Sequence, residues 1–146
     1  MASRTDINHP QLGNLAYEED LDWYSGSLPV DGQTAGLKVH CHGAEGEPPA
    51  LPQAVRIASE IQRFAAAAKD RAVRDLLALK NDSWRDADEA AVSAEEFKRL
   101  MRLEDVVVYG NGRAEFYHSD GDLFWGHCIL VLMETDGSFK DAHIAG

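Results

Sequence analysis

The chain has 146 residues, 45% of them hydrophobic and 27% charged, which is enough to bury the core of one domain and too apolar for a disordered segment. Its net charge of −11 disfavours nucleic acid and anionic membranes as partners. The charge is unevenly spread: residues 1–50 and 104–146 carry −6 each, while residues 51–103 carry +1.

Residues 1–11 are polar and patternless and read as a flexible arm, leaving residues 12–146 as a single domain. The N-terminus lacks an apolar leader, so the expected location is the cytoplasm, where Cys41 and Cys128, both in apolar runs, are expected as buried reduced thiols. Leu12–Tyr17 is a strand candidate, followed by an acidic turn at Glu18, Glu19 and Asp20. Trp23 and Tyr24 open a second strand running to Val30. Asp31-Gly32 then turns the chain into a third, where Leu37, Val39 and Cys41 alternate with Lys38, His40 and His42.

After a Gly/Pro loop the periodicity changes. Val55, Ala58, Ile61, Ala65, Ala68, Ala72, Leu76 and Leu79 recur at helical spacing. They predict one long helix, or two broken near Ala68–Asp70, with Arg56, Glu60, Arg63, Asp70 and Arg74 on the solvated side and an end at Asn81-Asp82. Ser93 and Glu96 form a capping-box pattern that starts a short helix. Strand signals then return. Val106–Tyr109 and Ala114–His118 flank an Asn111-Gly112 hairpin turn. Asp120-Gly121 reads as a second such turn, leading into an apolar strand from Leu123 to Met133 that is expected to be central, and Asp136-Gly137 leads to an edge strand over Phe139–Ile144. The predicted class is α+β: an antiparallel sheet from two terminal meanders, with the central helices packed on one side.

Three clusters bear on function. His40, His42, His118 and His127 match no metal-ligand spacing, so neither a metal site nor a cofactor is expected. The segment Asp120–His127 supports two readings. One is a pocket with His127 as general base, oriented by Asp120 or Asp122. The other, which the strand pattern favours, is a turn feeding a buried strand, with Trp125 and His127 bonded in the core. The third cluster is Asn81, Asp82 and Trp84, a helix end with hydrogen-bonding groups and an aromatic anchor. Nucleophile elbows, phosphate loops, dinucleotide fingerprints and zinc-helix motifs are absent from the sequence.

Four segments together, Trp23–Leu28, Leu79–Trp84, Ser93–Phe97 and above all Gly121–His127 (GDLFWGH), resemble a bacterial family of small domains of unknown function, over roughly residues 12–146. Similar small acidic domains act as immunity proteins beside bacterial toxins, so the resemblance implies binding and assigns no catalytic residue. The expectation is a non-enzymatic domain that meets a basic protein partner. Trp23, Tyr24 and Trp125 would be its anchors, and Glu18, Glu19, Asp20, Asp120 and Asp122 its acidic rim. The competing expectations are a small hydrolase or ligand-binding enzyme using His127 with Asp120 or Asp122, and a divalent-cation site on the same carboxylates.

Overall fold

A computed structural model describes residues 4–146. Eight strands form one sheet in chain order: β1 (Ile7–His9), β2 (Gly13–Glu18), β3 (Trp23–Val30), β4 (Gln33–His40), β5 (Arg102–Val108), β6 (Ala114–Ser119), β7 (Cys128–Met133) and β8 (Phe139–Ala145). Three helices, α1 (Leu51–Ser59), α2 (Ile61–Ser83) and α3 (Ala94–Leu100), lie between β4 and β5. The protein is thus α+β, a mostly antiparallel sheet with a helical insertion. Every neighbouring pair is antiparallel except β4–β5, which is parallel. That exception follows from connectivity, since the chain crosses back through three helices before β5, and a crossover returns the strand in the same direction.

The two terminal meanders keep the expected period. Leu28 and Val30 on β3, Ala35, Leu37 and Val39 on β4, and Phe116 on β6 are buried. α2 lies across β3, β7 and β8, and its carboxylate Asp75 accepts the Ala142 N–H of β8 at 2.9 Å. Small residues at 65, 68 and 72 on its buried stripe let the helix sit close to the strands.

Several expectations are corrected. Residues 1–11 are not a loose arm throughout: Ile7–His9 pairs with β2, and Tyr24 Oη donates to the Thr5 carbonyl. Residues 1–3 lie outside the described region. The helical break falls at Glu60, not near Ala68–Asp70. There Ser59 Oγ bonds back to the Arg56 carbonyl at 2.8 Å, competing with the helical ladder. The antiparallel expectation fails at β4–β5, as above. The strand expected from Leu123 begins only at Cys128 and is next to last in the sheet, not central. Cys41 is buried as expected, whereas Cys128 is exposed, and both thiols are free. β8 is the sheet edge as expected.

Candidate functional site

Asp120 builds the segment that the sequence singled out. Its carboxylate is only 4% exposed and accepts three backbone N–H groups, from Asp122 at 2.9 Å, Phe124 at 2.8 Å and Gly126 at 3.1 Å. Around this one acceptor the chain makes successive turns, closed by Leu123 N–H to the Asp120 carbonyl, Trp125 N–H to Asp122 and His127 N–H to Phe124. A carboxylate that takes three amides outcompetes a ladder, which is why no strand forms here. Strand alternation across 123–127 is therefore lost. Leu123 and Phe124 point into the core, and Trp125 is 58% exposed. The backbone at Asp122 and Trp125 is left-handed, at φ 67° and 57°. That region is unfavourable for a bulky residue.

The third cluster meets the second in space. The Trp84 ring stacks tilted on Trp125 at 4.8 Å and meets His127 and Phe124 edge-on at 5.5 and 5.6 Å. Two segments far apart in sequence thus form one aromatic platform. Residues 80–92 are tied down from beneath it. Lys80, 2% exposed, donates to the Trp84 carbonyl and pairs with Glu89 at 2.7 Å. Asn81 clamps Val92 from both sides, donating to its carbonyl at 3.0 Å and accepting its N–H at 2.8 Å. Asn81 is therefore a loop clamp and not a free binding group. Asp82, Asp86, Asp88 and Asp122 remain exposed on the same two segments, against one arginine, Arg85.

This arrangement removes the dyad expected of His127. Its Nδ1 donates to the Phe124 carbonyl at 2.7 Å, both Asp120 oxygens are taken by backbone amides, and no hydrogen bond joins His127 to either aspartate among the described residues. The cation expectation loses its central ligand for the same reason. Among the described residues, no group of three or more His, Cys, Asp or Glu side chains is placed to hold a metal ion. The reading of Trp125 as a core residue is also overturned by its exposure.

The other expected contact residues lie at the far end of the strands. Glu18 pairs with Trp23 across β2–β3, and Trp23 with His40 across β3–β4, while Val30 and Gln33 close the opposite end. An eight-residue strand spans roughly 25 Å, so Glu18, Glu19 and Asp20 do not rim the same surface as Asp120 and Asp122. Trp23 is partly exposed on the helix-free face of the sheet. Tyr24 faces the core at 3% exposure, which removes it as an anchor. His40 stacks between His42 and Tyr109, each 4.9 Å away. Burial, helped by the neighbouring His42, lowers the His40 pKa and favours the neutral ring. Burial and a hydrogen bond to Glu115 push the Tyr109 phenol well above its ordinary value. The four histidines do not converge, because His118 faces the helices and His127 sits in the loop beyond β6.

Lys80 was invisible to the sequence reading, yet it continues the buried 65–68–72–76 stripe at the next i+4 position. Its spacing was the available signal, and its charge hid it.

The fold and the platform define a small α+β domain with an aromatic, carboxylate-bearing loop end. The chain belongs to the family described as uncharacterized protein conserved in bacteria (DUF2262), whose model matches residues 9–144. No curated protein and no solved structure matches the chain. No helix is long and apolar enough to cross a membrane among the described residues.

Proposed function

We propose that this chain is a non-enzymatic protein-binding domain of the bacterial cytoplasm, whose partner presents a basic surface to the Trp84–Trp125 platform. The observation that carries this reading is Trp125 itself. A three-amide carboxylate at Asp120 holds the loop that puts a tryptophan in left-handed backbone and leaves most of its ring in water. Folding gains nothing from that exposure, whereas a partner gains a rigid aromatic anchor. The exposed carboxylates Asp82, Asp86, Asp88 and Asp122 would steer a cationic partner and set its register. Two free thiols suit a reducing compartment. An immunity-type role, in which the partner is a bacterial toxin, is the finer form of this proposal and rests on the family resemblance.

The test compares the protein with its Trp125→Ala and Asp122→Lys variants as baits in bacterial extract, at low and high salt. The expected result is a basic protein retained by the unsubstituted bait at low salt and lost from both variants. Recovery of the same proteins by all three baits, or retention indifferent to salt, would overturn the reading.

A further inference from the structure

Basic side chains gather around a recess in this acidic molecule. A cleft of about 340 Å³ lies between α2, the β3–β4 hairpin and the α3–β5 junction. Lys69, Arg99 and Arg102 stand on its walls, and Ala65, Met101 and Leu103 line its interior. Lys69 makes no ion pair among the described residues. Arg102 reaches no carboxylate nearer than Glu104, an exposed neighbour at 3.8 Å. Arg99 forks onto Glu96. Asp31, exposed at the hairpin turn, is the lone acidic residue of the lining and is within ion-pair distance of none of the three cations. A second recess of about 230 Å³ shares Asp31, Ala65 and Lys69 and adds Lys98, already paired with Asp70. Three cations beside the buried Ala65, Met101 and Leu103, in a chain of net charge −11, are not explained by solubility.

We propose that this cleft binds a small molecule with an oxyanion head and a short apolar tail, the head on Lys69 and Arg102 and the tail against Ala65, Met101 and Leu103. Guanidinium and ammonium groups lining one opening suit a carboxylate or a phosphate alike, and their hold strengthens where apolar side chains exclude water. A lysine left unpaired on a partly buried wall supplies the charge that such a head would neutralise. His118 adds an internal reporter. It is 1% exposed, pairs with Leu103 across β5–β6, and has no partner for Nε2. The Lys69 charge helps to keep its ring neutral, so an anion on Lys69 would let the ring protonate more readily. This site is independent of the partner surface at Trp125.

The experiment titrates the protein with inorganic phosphate, hexyl phosphate and hexanoate, following backbone amide shifts and calorimetric affinity. The expected result is saturable binding of at least one tailed probe, with shifts at residues 65–69 and 99–103. Inorganic phosphate should bind more weakly than hexyl phosphate, and the tighter of the two tailed probes identifies the head as phosphate or carboxylate. Lys69→Gln should weaken binding about tenfold or more, the usual effect of losing a charged hydrogen bond, and Lys69→Arg should largely restore it. Trp125→Ala should leave it unchanged. Absence of saturable shifts with all three probes, shifts that map elsewhere, or equal affinity in a folded Lys69→Gln protein would each overturn the proposal.

Discussion

His118 and Asp120 are two residues apart, buried, polar and on the helix side of β6 and its continuation, yet their surroundings are opposite. Asp120 has three amide donors on its two oxygens. His118 has one carbonyl, Ile129 at 3.3 Å, as acceptor for Nδ1 and nothing for Nε2. The carboxylate is kept as an organising charge because the chain wraps its own N–H groups around it. The imidazole is kept neutral because no acceptor at Nε2 and no counter-charge offsets the burial of its charged form. Burial alone therefore does not decide what a polar group does here. The local supply of partners for the charged form decides it: donors for the carboxylate, acceptors for the imidazolium.

Removing the Asp120 carboxylate should have the largest effect. Asp120→Ala leaves three amides without their acceptor and releases the turns that seat Leu123 and Phe124, at about 4 kcal/mol by the usual worth of charged hydrogen bonds. Urea denaturation measures it, and Asp120→Asn, which keeps one acceptor oxygen, should fall about halfway. A value within experimental error of the unsubstituted protein would remove Asp120 as the organiser of the loop.

The His118 side of the comparison is read by pH. Burial, with a smaller contribution from Lys69, depresses its pKa from 6.5 to about 4. The unfolded chain therefore takes up this proton below pH 6.5 while the folded one does not. Stability from this group is complete above pH 6.5 and is lost as pH falls toward 4, with an upper bound on the order of 3 kcal/mol. Denaturation at several pH values should show a shallower acid slope in His118→Gln than in the unsubstituted protein, other groups cancelling in the difference. Parallel slopes would mean that His118 protonates in the folded state as readily as in the unfolded one.

Lys80 is a third buried polar group and sits between these extremes, satisfied by the Trp84 carbonyl and by the half-exposed Glu89. Lys80→Met should lower stability by about 1–2 kcal/mol, less than a fully buried pair would, since water reaches Glu89. The clearer readout is limited proteolysis, which should cut faster within residues 84–92.

How much of this was legible depends on how local its cause is. The hairpin at Asn111-Gly112 was readable from those two residues, but its loop is one residue longer than the two-residue turn expected: Gly112 N–H bonds the Tyr109 carbonyl, Tyr109 N–H bonds the Arg113 carbonyl, and of the pair only Gly112 has positive φ. Asp120-Gly121 has the same form and a different outcome, because the deciding atom is a side-chain oxygen whose inward direction the sequence does not state. Alternation at Leu37 and Val39 was legible for the same local reason. The β4–β5 pairing was not, because it depends on how three helices return the chain. The Trp84–Trp125 contact and the Lys69–Arg102 cleft each join distant segments, so the sequence shows only their parts. The solvated face was read from Arg56, Glu60, Arg63, Asp70 and Arg74, whereas the bases that share a recess, Lys69, Arg99 and Arg102, follow no pattern in the sequence that singles them out.

Trp125 gives the smallest expected change in stability and the sharpest division between folding and function. Trp125→Gly relieves a left-handed bulky residue, which favours the folded state by about 1 kcal/mol, but glycine adds unfolded-chain entropy of similar size. It also removes an exposed ring contact with Trp84, worth about 0.5–1.5 kcal/mol. The net shift should lie within about 1 kcal/mol of zero, far below that of Asp120→Ala. Partner capture should nevertheless be lost, because a central aromatic anchor commonly carries 2 kcal/mol or more of binding energy, roughly a thirtyfold change in affinity. A stable Trp125→Gly protein that still retained its partner would move the contact surface away from the platform. A strongly destabilised one would place Trp125 among the folding residues, with Asp120.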